Sequence, residues 1–475
     1  MRAPWPILEA ALGKAVTGDP QLLRAYDHDL GEMPRALLSR LRTRPDAVVV
    51  ARSPADVVST LQVAARLGVP VTPRGQGSSG YGGSMPTRAG ILLDLSALTK
   101  VLAVDEAAAT VDVEPGVVWN ELSRTLRKRG LDVRTLPTSA PSSTVGGWFA
   151  SGGVGIGSLR YGSIRDAVLE IDVAGLDGRV ATVVGQDLDL HHQTAGILGV
   201  ITRLRLACRP AEEPRSFAVR LPEAEAVPAL QAAAERDLGA YSLSIQSAGY
   251  LAMRARLDRG AGPPIAAGFL GLLTVSSPGD PAAVERAVAA CGGALLDDSV
   301  AAHEWEDRFY PMRVKRLGPS LLVSEFLLPT ERFPETWRAI SRALRREELG
   351  LEAFAARGGR MAVLVYALED AGHWLYPVRM ARALAPVRIA LRRGGSVYTP
   401  GLWFAWGARS VLGEARYEAV VAEKRRVDPA GLLNPDKVLG PRLRGLPLVD
   451  ASRLLALSAA FASPLSRWLA PRPVR

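Results

Sequence analysis

The sequence predicts an α+β protein in two parts, and three observations carry that prediction. A strand, a helix and a second strand follow one another between Ala47 and Arg74, the βαβ grammar of a mixed sheet. Two tracts dense in glycine and serine interrupt the chain downstream, at Arg74 to Gly83 and at Pro137 to Asp166. Beyond Pro210 the rhythm changes to longer strands and helices. A chain of 475 residues exceeds what one hydrophobic core usually serves, so two lobes are expected. With 48% hydrophobic and 22% charged residues and no low-complexity tract, it is expected to fold throughout.

Taken in order, Leu8 to Tyr26 reads as a helix and the chain is then irregular through Arg44-Pro45. AVVVARS (Ala47 to Ser53) is a β-branched strand, and SPADVVSTLQVAARLG is a helix that starts at Ser-Pro and is capped by Gly68. VPVTPRG is a second strand leading into glycines, followed by the short strands GILLDLSAL, KVLAVD and TVDVEPG. VVWNELSRTLRKRG is a helix closed by Gly130, VLEIDVAGLDGRV a strand with an Asp-Gly turn, and LGVITRLRLACRP a strand ended by Pro210. SFAVRLP and LLTVSSPG alternate with the helices EAVPALQAAAERDLG and PAAVERAVAACGG in the second lobe. A helix at EARYEAVVAEKRRVDP, the loop AGLLNPDKVLG and an apolar tail helix SRLLALSAAFASPLSRWLAPRPVR close the chain. The expected division is a helical segment 1–39, a domain 40–210, a second domain 211–410 and a C-terminal segment 411–475 that returns to the first.

Composition excludes several classes of function. Cys208 and Cys291 cannot supply the four thiolates of an iron–sulfur cluster or structural zinc site, and they form no disulfide framework. The N-terminus has no apolar core of signal-peptide length, so a cytoplasmic location is expected. No run of about 18 uncharged apolar residues is present to span a membrane. The net charge of +10 is spread through the chain without interleaved aromatics, which argues against nucleic-acid binding. The tail, with Arg453, Arg467 and Trp468, is expected either to pack on the protein or to rest on the inner face of an anionic membrane.

In RGQGSSGYGG five of ten residues are glycine and two are serine, directly after a strand. Glycines let successive N–H groups turn toward one anion, and serine hydroxyls add donors, which suits a pyrophosphate. Taken alone, a plain glycine-rich turn is the simpler reading. The loop is no Walker motif, since no Gly-Lys-Ser/Thr ends it, and no Rossmann fingerprint, since no helix follows its glycines. PTSAPSSTVGGWFASGGVGIGSLRYGSIRD adds a second polar, glycine-dense tract, and two such tracts can close on one long ligand.

The ordered series VTPRGQGSSGYGG, LLDLSAL, VDVEPGVVWNEL, PTSAPSSTVGGWFASGG, RYGSIRDAVLEIDVAGLDGRV and AGILGVITRLRL resembles the FAD-binding domain of the vanillyl-alcohol oxidase / p-cresol methylhydroxylase family. The resemblance implies a two-subdomain, PCMH-type FAD-binding domain followed by an α+β cap domain that covers the flavin and sets the substrate. It implies FAD contacts from Arg74, Gly75, Gln76, Gly77, Ser78, Ser79 and Gly80 around the pyrophosphate. It implies further contacts from Pro137, Thr138, Ser139, Ser143, Thr144, Gly147, Ser151, Gly152, Gly153 and Val154, and on the adenine side from Gly199, Val200 and Ile201. Where the family often has Gly-Ser-Glu-Gly, this chain reads Thr194-Ala195-Gly196 and loses the carboxylate. Some members attach the flavin through a histidine near the first loop; Gln76 and Ser78 stand there, which implies non-covalent FAD. KRRVDPAGLLNPDKVL is similar to the family's closing segment, with a turn at Asn434-Pro435.

In the second lobe, WEDRFYPMRVKRLG resembles a stretch of the alkyl-dihydroxyacetone-phosphate synthase and glycolate or D-lactate dehydrogenase branches, and Arg313 takes the place of its last arginine. The resemblance implies that Arg313 meets a substrate carboxylate or phosphate, against the plainer reading of a surface arginine. Tyr366 is either an acid–base tyrosine or a core residue. RRGGSVYTPGLWFA lacks the histidines by which those branches bind metal or act on substrate, so no metal is expected. Among the five histidines, His191-His192 reads as a satisfied or exposed pair whose rings point to opposite faces of a strand, and His373 has nothing converging on it. The expected activity is hydride transfer from a small organic substrate, a hydroxy acid or other alcohol, to FAD, with electrons passing to a quinone, a redox protein or oxygen. A non-catalytic flavin-binding subunit of a larger redox complex is the alternative.

Overall fold

The computed structural model describes residues 5–31, 38–39, 41–258, 265, 267–276, 280–345, 348–374, 376–439, 442–443 and 446–447. These fall into two compact units, one drawn from Met1–Glu213 with Thr399–Arg444, the other from Pro214–Tyr398 with Gly445–Arg475. The expected tail helix lies outside the described residues.

In the first unit, β1 (Val16–Thr17), β2 (Ala47–Val50), β3 (Val71–Arg74) and β4 (Ile91–Asp94) form a sheet in the order β1-β2-β4-β3. Both β2 and β3 run parallel to β4, and β1 is antiparallel to β2. The crossover between β2 and β3 is the helix Pro54–Leu67, and its ends are fixed locally. Ser53 and Asp56 form a reciprocal capping box, Pro54 takes the first turn where no N–H is needed, and Gly68 ends the helix at φ +63°. Its apolar face, Val57, Leu61 and Ala64, packs with Val49, Val71, Ile91 and Leu93 in one core cluster.

The N-terminal helix expected over Leu8 to Tyr26 is broken. A helix over Trp5–Leu12, the strand β1 and a second helix over Pro20–Ala25 replace it. Proline lacks an N–H to continue a helix, and the Asp19 side chain accepts from Gln21 N at 2.7 Å, so the chain restarts there instead.

The second sheet of this unit runs β5 (Val101–Asp105), β6 (Thr110–Val113), β10 (Val200–Pro210), β8 (Val168–Ala174), β9 (Val180–Val184), with β7 (Leu131–Val133) also on β10. The chain between β7 and β10 carries the second glycine-rich tract. After the helix Glu414–Val427, Leu433 forms a parallel bridge with Val71, so the C-terminal segment lies beside the strand that launches the first tract.

The second unit contains an eight-stranded antiparallel sheet of β11 (Arg215–Leu221), β12 (Ser242–Ser247), β13 (Phe269–Val275), β14 (Ala294–Leu295), β15 (Ser320–Pro329), β16 (Leu349–Ala356), β17 (Arg360–Glu369) and β18 (Ser396–Val397). Its central strands are buried on both faces, as the burial of every residue in β12 and β13 records. Among the described residues no helix is long and apolar enough to cross a membrane.

Candidate functional site

The first glycine-rich tract leaves the end of β3 and is held from both sides. Arg74 donates to the His28 carbonyl at 2.6 Å, and Leu30 N donates to Ser79 O at 3.1 Å. Asp29 accepts from Gly31 N at 2.9 Å and from Gly82 N at 2.6 Å. Burial pushes the Asp29 carboxyl up to about 6, against the pull of those N–H groups and of Lys437 and Arg74. Lys437 is fully enclosed and donates to Met85 O at 2.8 Å; burial brings its amine down to about 7. Gly77 sits at φ +65°, where a side chain is strained, and a Cβ there would lie 2.3 Å from the Arg74 guanidinium.

The second tract is closed by reciprocal main-chain bonds between Leu136 and Ile156, at 3.0 and 2.9 Å. Within it Thr144 caps the short helix Val145–Ser151, its hydroxyl accepting from Gly147 N at 3.3 Å. Ser151 donates to Gly147 O at 2.8 Å, and the Gly152 carbonyl meets His192 Nε2 at 2.9 Å. Burial brings the His192 ring down to about 3, so it is neutral. His191 ends the helix Leu188–His191, which corrects the expectation of a strand with opposed rings; His192 is a buried, hydrogen-bonded residue.

The tracts meet. A Cβ built on Gly75 would stand 2.5 Å from Thr144 Oγ1, closer than real Cβ contacts come, so a side chain there would have to displace the Thr144 hydroxyl where the first loop lies against the second tract. The third tract joins them: Ala195 N donates to Ala150 O at 2.8 Å, and a Cβ on Gly196 would be 3.0 Å from Pro73. Gly75, Gly77 and Ser78 to Gly80 are half-buried; Gln76 and Gly147 are exposed. Pro137, Ser143, Thr144, Gly152 and Gly153 are buried, Thr138, Ser139, Ser151 and Val154 half-buried, and Gly199, Val200 and Ile201 sit buried at the head of β10, where Val200 and Ile201 pair with Ala174 and Val173.

The lining fits a long polyanionic nucleotide. Its walls are glycine main chain, and the Ser143 and Thr135 hydroxyls are buried with no hydrogen-bond partner, although buried hydroxyls are normally paired. Sequence reasoning missed Asp29, Thr135 and Lys437, and it noted Asn434 only as a turn. Asp29 and Lys437 lie far from the glycine tracts in sequence and carry no local motif; only the fold brings them to the loop.

Arg313 and Tyr366 lie in the second unit, within a cluster of charged groups. Arg254 donates to Glu304 at 2.6 Å, to Gln246 at 2.8 Å and to Asp307 at 2.5 Å. Both terminal nitrogens of Arg313 donate to Asp307, and Asp258 stands 3.6 Å away. Tyr366, fully buried on β17, stacks on Tyr250 with centroids 5.4 Å apart, and its hydroxyl is 3.5 Å from Glu352. Burial raises the Glu352 carboxyl to about 8, with Glu304 adding to the rise and Arg254, Tyr366 and Arg313 opposing it. Among the described residues no group of three or more His, Cys, Asp or Glu is placed to hold a metal ion.

Residues 45–183 match the family described as FAD binding domain. The chain is 30% identical over 191 residues to glycolate oxidase subunit GlcD of Bacillus subtilis (strain 168), covering 38% of this chain and 41% of that protein. It is 33% identical over 171 residues to the mitochondrial D-lactate dehydrogenase [cytochrome] of Arabidopsis thaliana, covering 34% of this chain and 30% of that one. The match to the glycolate oxidase subunit thus spans about two fifths of its length. Among solved structures, p-cresol methylhydroxylase with substrate bound is similar at a TM-score of 0.74 and 18% identity, over 93% of this chain and 96% of that one. An alkyldihydroxyacetonephosphate synthase is similar at 0.71 and 18% identity, over 91% and 85%. These structural likenesses establish the fold, mixed helix and sheet of the PCMH type. The match to the FAD binding domain model is confined to residues 45–183.

Proposed function

We propose that this protein is an FAD-dependent oxidoreductase that holds its flavin non-covalently and takes a hydride from a small organic substrate, a hydroxy acid or other alcohol. The observation that carries the proposal is the contact between Gly75 and Thr144, which joins the two glycine-rich tracts into one wall next to Ser143, whose hydroxyl is buried without a partner. FAD held there supplies a two-electron acceptor that passes its electrons on to a quinone, a redox protein or oxygen.

The chain's own groups then do the holding. Arg74 through Gly80 offer main-chain N–H groups and serine hydroxyls to the pyrophosphate, and Ser143, Thr144 and the 151–154 segment offer hydroxyls and main chain to the rest of the nucleotide. Non-covalent binding is supported by the absence of histidine from Arg74 to Gly83. His28, whose carbonyl touches this loop, turns its exposed ring to Asp27 at 2.7 Å, and His192 is held by Gly152. The substrate class is supported by the relatives, a glycolate oxidase subunit and a D-lactate dehydrogenase. In this reading Arg313 meets an anionic substrate group and Tyr366, beside Glu352, handles a proton. A cytoplasmic setting is part of the reading, supported by the two free cysteines.

The purified protein should be yellow, and acid precipitation should leave the flavin in the supernatant. Anaerobic addition of 2-hydroxy acids and simple alcohols should bleach the flavin with at least one of them. A colourless protein that takes up no added FAD would sink the proposal, and a flavin that no compound bleaches would favour a non-catalytic flavin-binding subunit.

A further inference from the structure

The Asn434 side chain touches two of the candidate flavin tracts at once. It is 1% exposed, and its N–H donates to Val71 O at 2.7 Å, which registers it beside the strand that launches the first loop. Its Nδ2 donates to Gly83 O at 2.8 Å, at the end of that loop, and to Ala195 O at 2.6 Å, at the turn before β10. Both partners are carbonyls, so the amide can face them only through its nitrogen. The other end, Oδ1, is buried with no hydrogen-bond partner. The backbone pays for this placement: Asn434 sits at φ +37° and Ala195 at φ +52°, left-handed conformations that non-glycine residues seldom adopt.

We propose that Asn434 is a flavin-positioning residue, whose amide nitrogen sets the separation of the Gly83 and Ala195 segments and whose Oδ1 is kept for an N–H donor of the bound nucleotide. Its neighbours hold the segment without it. Lys437 donates to Met85 O at 2.8 Å, and Asp436 accepts from Thr87 at 2.9 Å and from Arg88 at 2.9 and 2.6 Å. Loss of the Asn434 amide therefore changes the spacing of the two tracts while the C-terminal segment stays attached. The inference rests on the FAD reading above.

The test is FAD titration of the full-length apoprotein by flavin fluorescence, with the absorption spectrum of the bound flavin and a melting curve recorded on each sample. Asn434→Ala removes both donors and the acceptor. Asn434→Asp keeps the shape but sets a carboxylate against two carbonyls. Arg88→Ala is the control, cutting a half-exposed tie of the same segment. Both Asn434 variants should weaken FAD binding on the order of tenfold, the scale of losing a pair of buried hydrogen bonds, and should shift the bound-flavin spectrum. Arg88→Ala should leave affinity and spectrum near those of the unaltered protein whatever it does to melting. Asn434 variants with unaltered affinity and spectrum, or an Arg88→Ala protein that loses affinity to the same extent, would overturn the proposal. If the unaltered protein takes up no FAD, the functional reading itself fails.

Discussion

The candidate cradle of the first unit is built largely of main chain and hydroxyls, whereas the polar cluster around Arg254 in the second is built of ionisable side chains. In the first, Gly75, Gly77 and Ser143 belong to the candidate cradle, and the hydroxyls of Ser143 and of Thr135, one residue before the Leu136–Ile156 closure, are left unpaired. In the second, Arg254 binds Glu304 and Asp307, and Arg313 binds Asp307. A surface with unspent donors suits a ligand that arrives with its own charge, since the ligand completes the pairing. In the second the charges are paired with one another, although Arg254 Nε and Glu304 Oε1 are also left without partners, and removing one member of such a buried pair is costly. The comparison predicts opposite responses: removing Arg254 from its buried pairs in the second unit should fall on stability, and deletions in the first unit's cradle should fall on FAD.

The largest effect expected is that of Arg254→Met. Glu304 is fully buried as a side chain and Arg254 is only 6% exposed, so the substitution strands a carboxylate in a medium that solvates it poorly. Breaking a buried pair from one side costs about 3–5 kcal/mol. The denaturant midpoint of the variant should fall accordingly. A variant that unfolds alongside the unaltered protein would show that the cluster is hydrated, and the contrast between the units would weaken.

Glu352→Gln should produce the next effect, and it should depend on pH. The folded carboxyl titrates at about 8 and the unfolded one near 4.5, so folding favours the neutral acid. That contribution is fully present below the unfolded value and is lost as pH rises through the folded one. The glutamine is neutral throughout. Its melting temperature relative to the unaltered protein should therefore rise steadily between pH 4.5 and 8 and level off outside that window. A constant difference across the range would show that Glu352 is ionised throughout it, paired with Arg254.

How far each region was legible in the sequence follows the same division. Helix and strand signals were local, so Ser53-Pro54, Gly68 and Pro210 bounded their elements correctly. The glycine tracts were visible because glycine and serine density is itself a local signal. The N-terminal helix failed because apolar spacing outweighed the Asp19-Pro20 restart in the reading of that segment. Asp29, Asn434 and Lys437 were not legible as site residues: Asp29 is brought to the first loop by its long-range bond from Gly82 N, and Asn434 and Lys437 by the return of the C-terminal segment to the edge of β3. Glu352 was hidden for another reason: a glutamate within the apolar strand β16 reads as a solvent-facing position until the residues above it are known.

The smallest effect, and the one that bears most directly on the cradle, is that of Ser143→Ala. Ser143 is 5% exposed and its hydroxyl has no partner, so folding already bears the cost of its desolvation. Removing it should leave the melting temperature of the apoprotein unchanged or slightly higher, unlike any substitution in the charged cluster. If the hydroxyl is kept for the nucleotide, the variant should bind FAD more weakly by about 0.5–1.5 kcal/mol, the net worth of one hydrogen bond. Both readouts come from one sample, a melt without FAD and a fluorescence titration with it. A destabilised apoprotein would mean that the hydroxyl is bonded within the fold, and unaltered FAD affinity would remove Ser143 from the cradle while leaving the Gly75 contact with Thr144 to carry it.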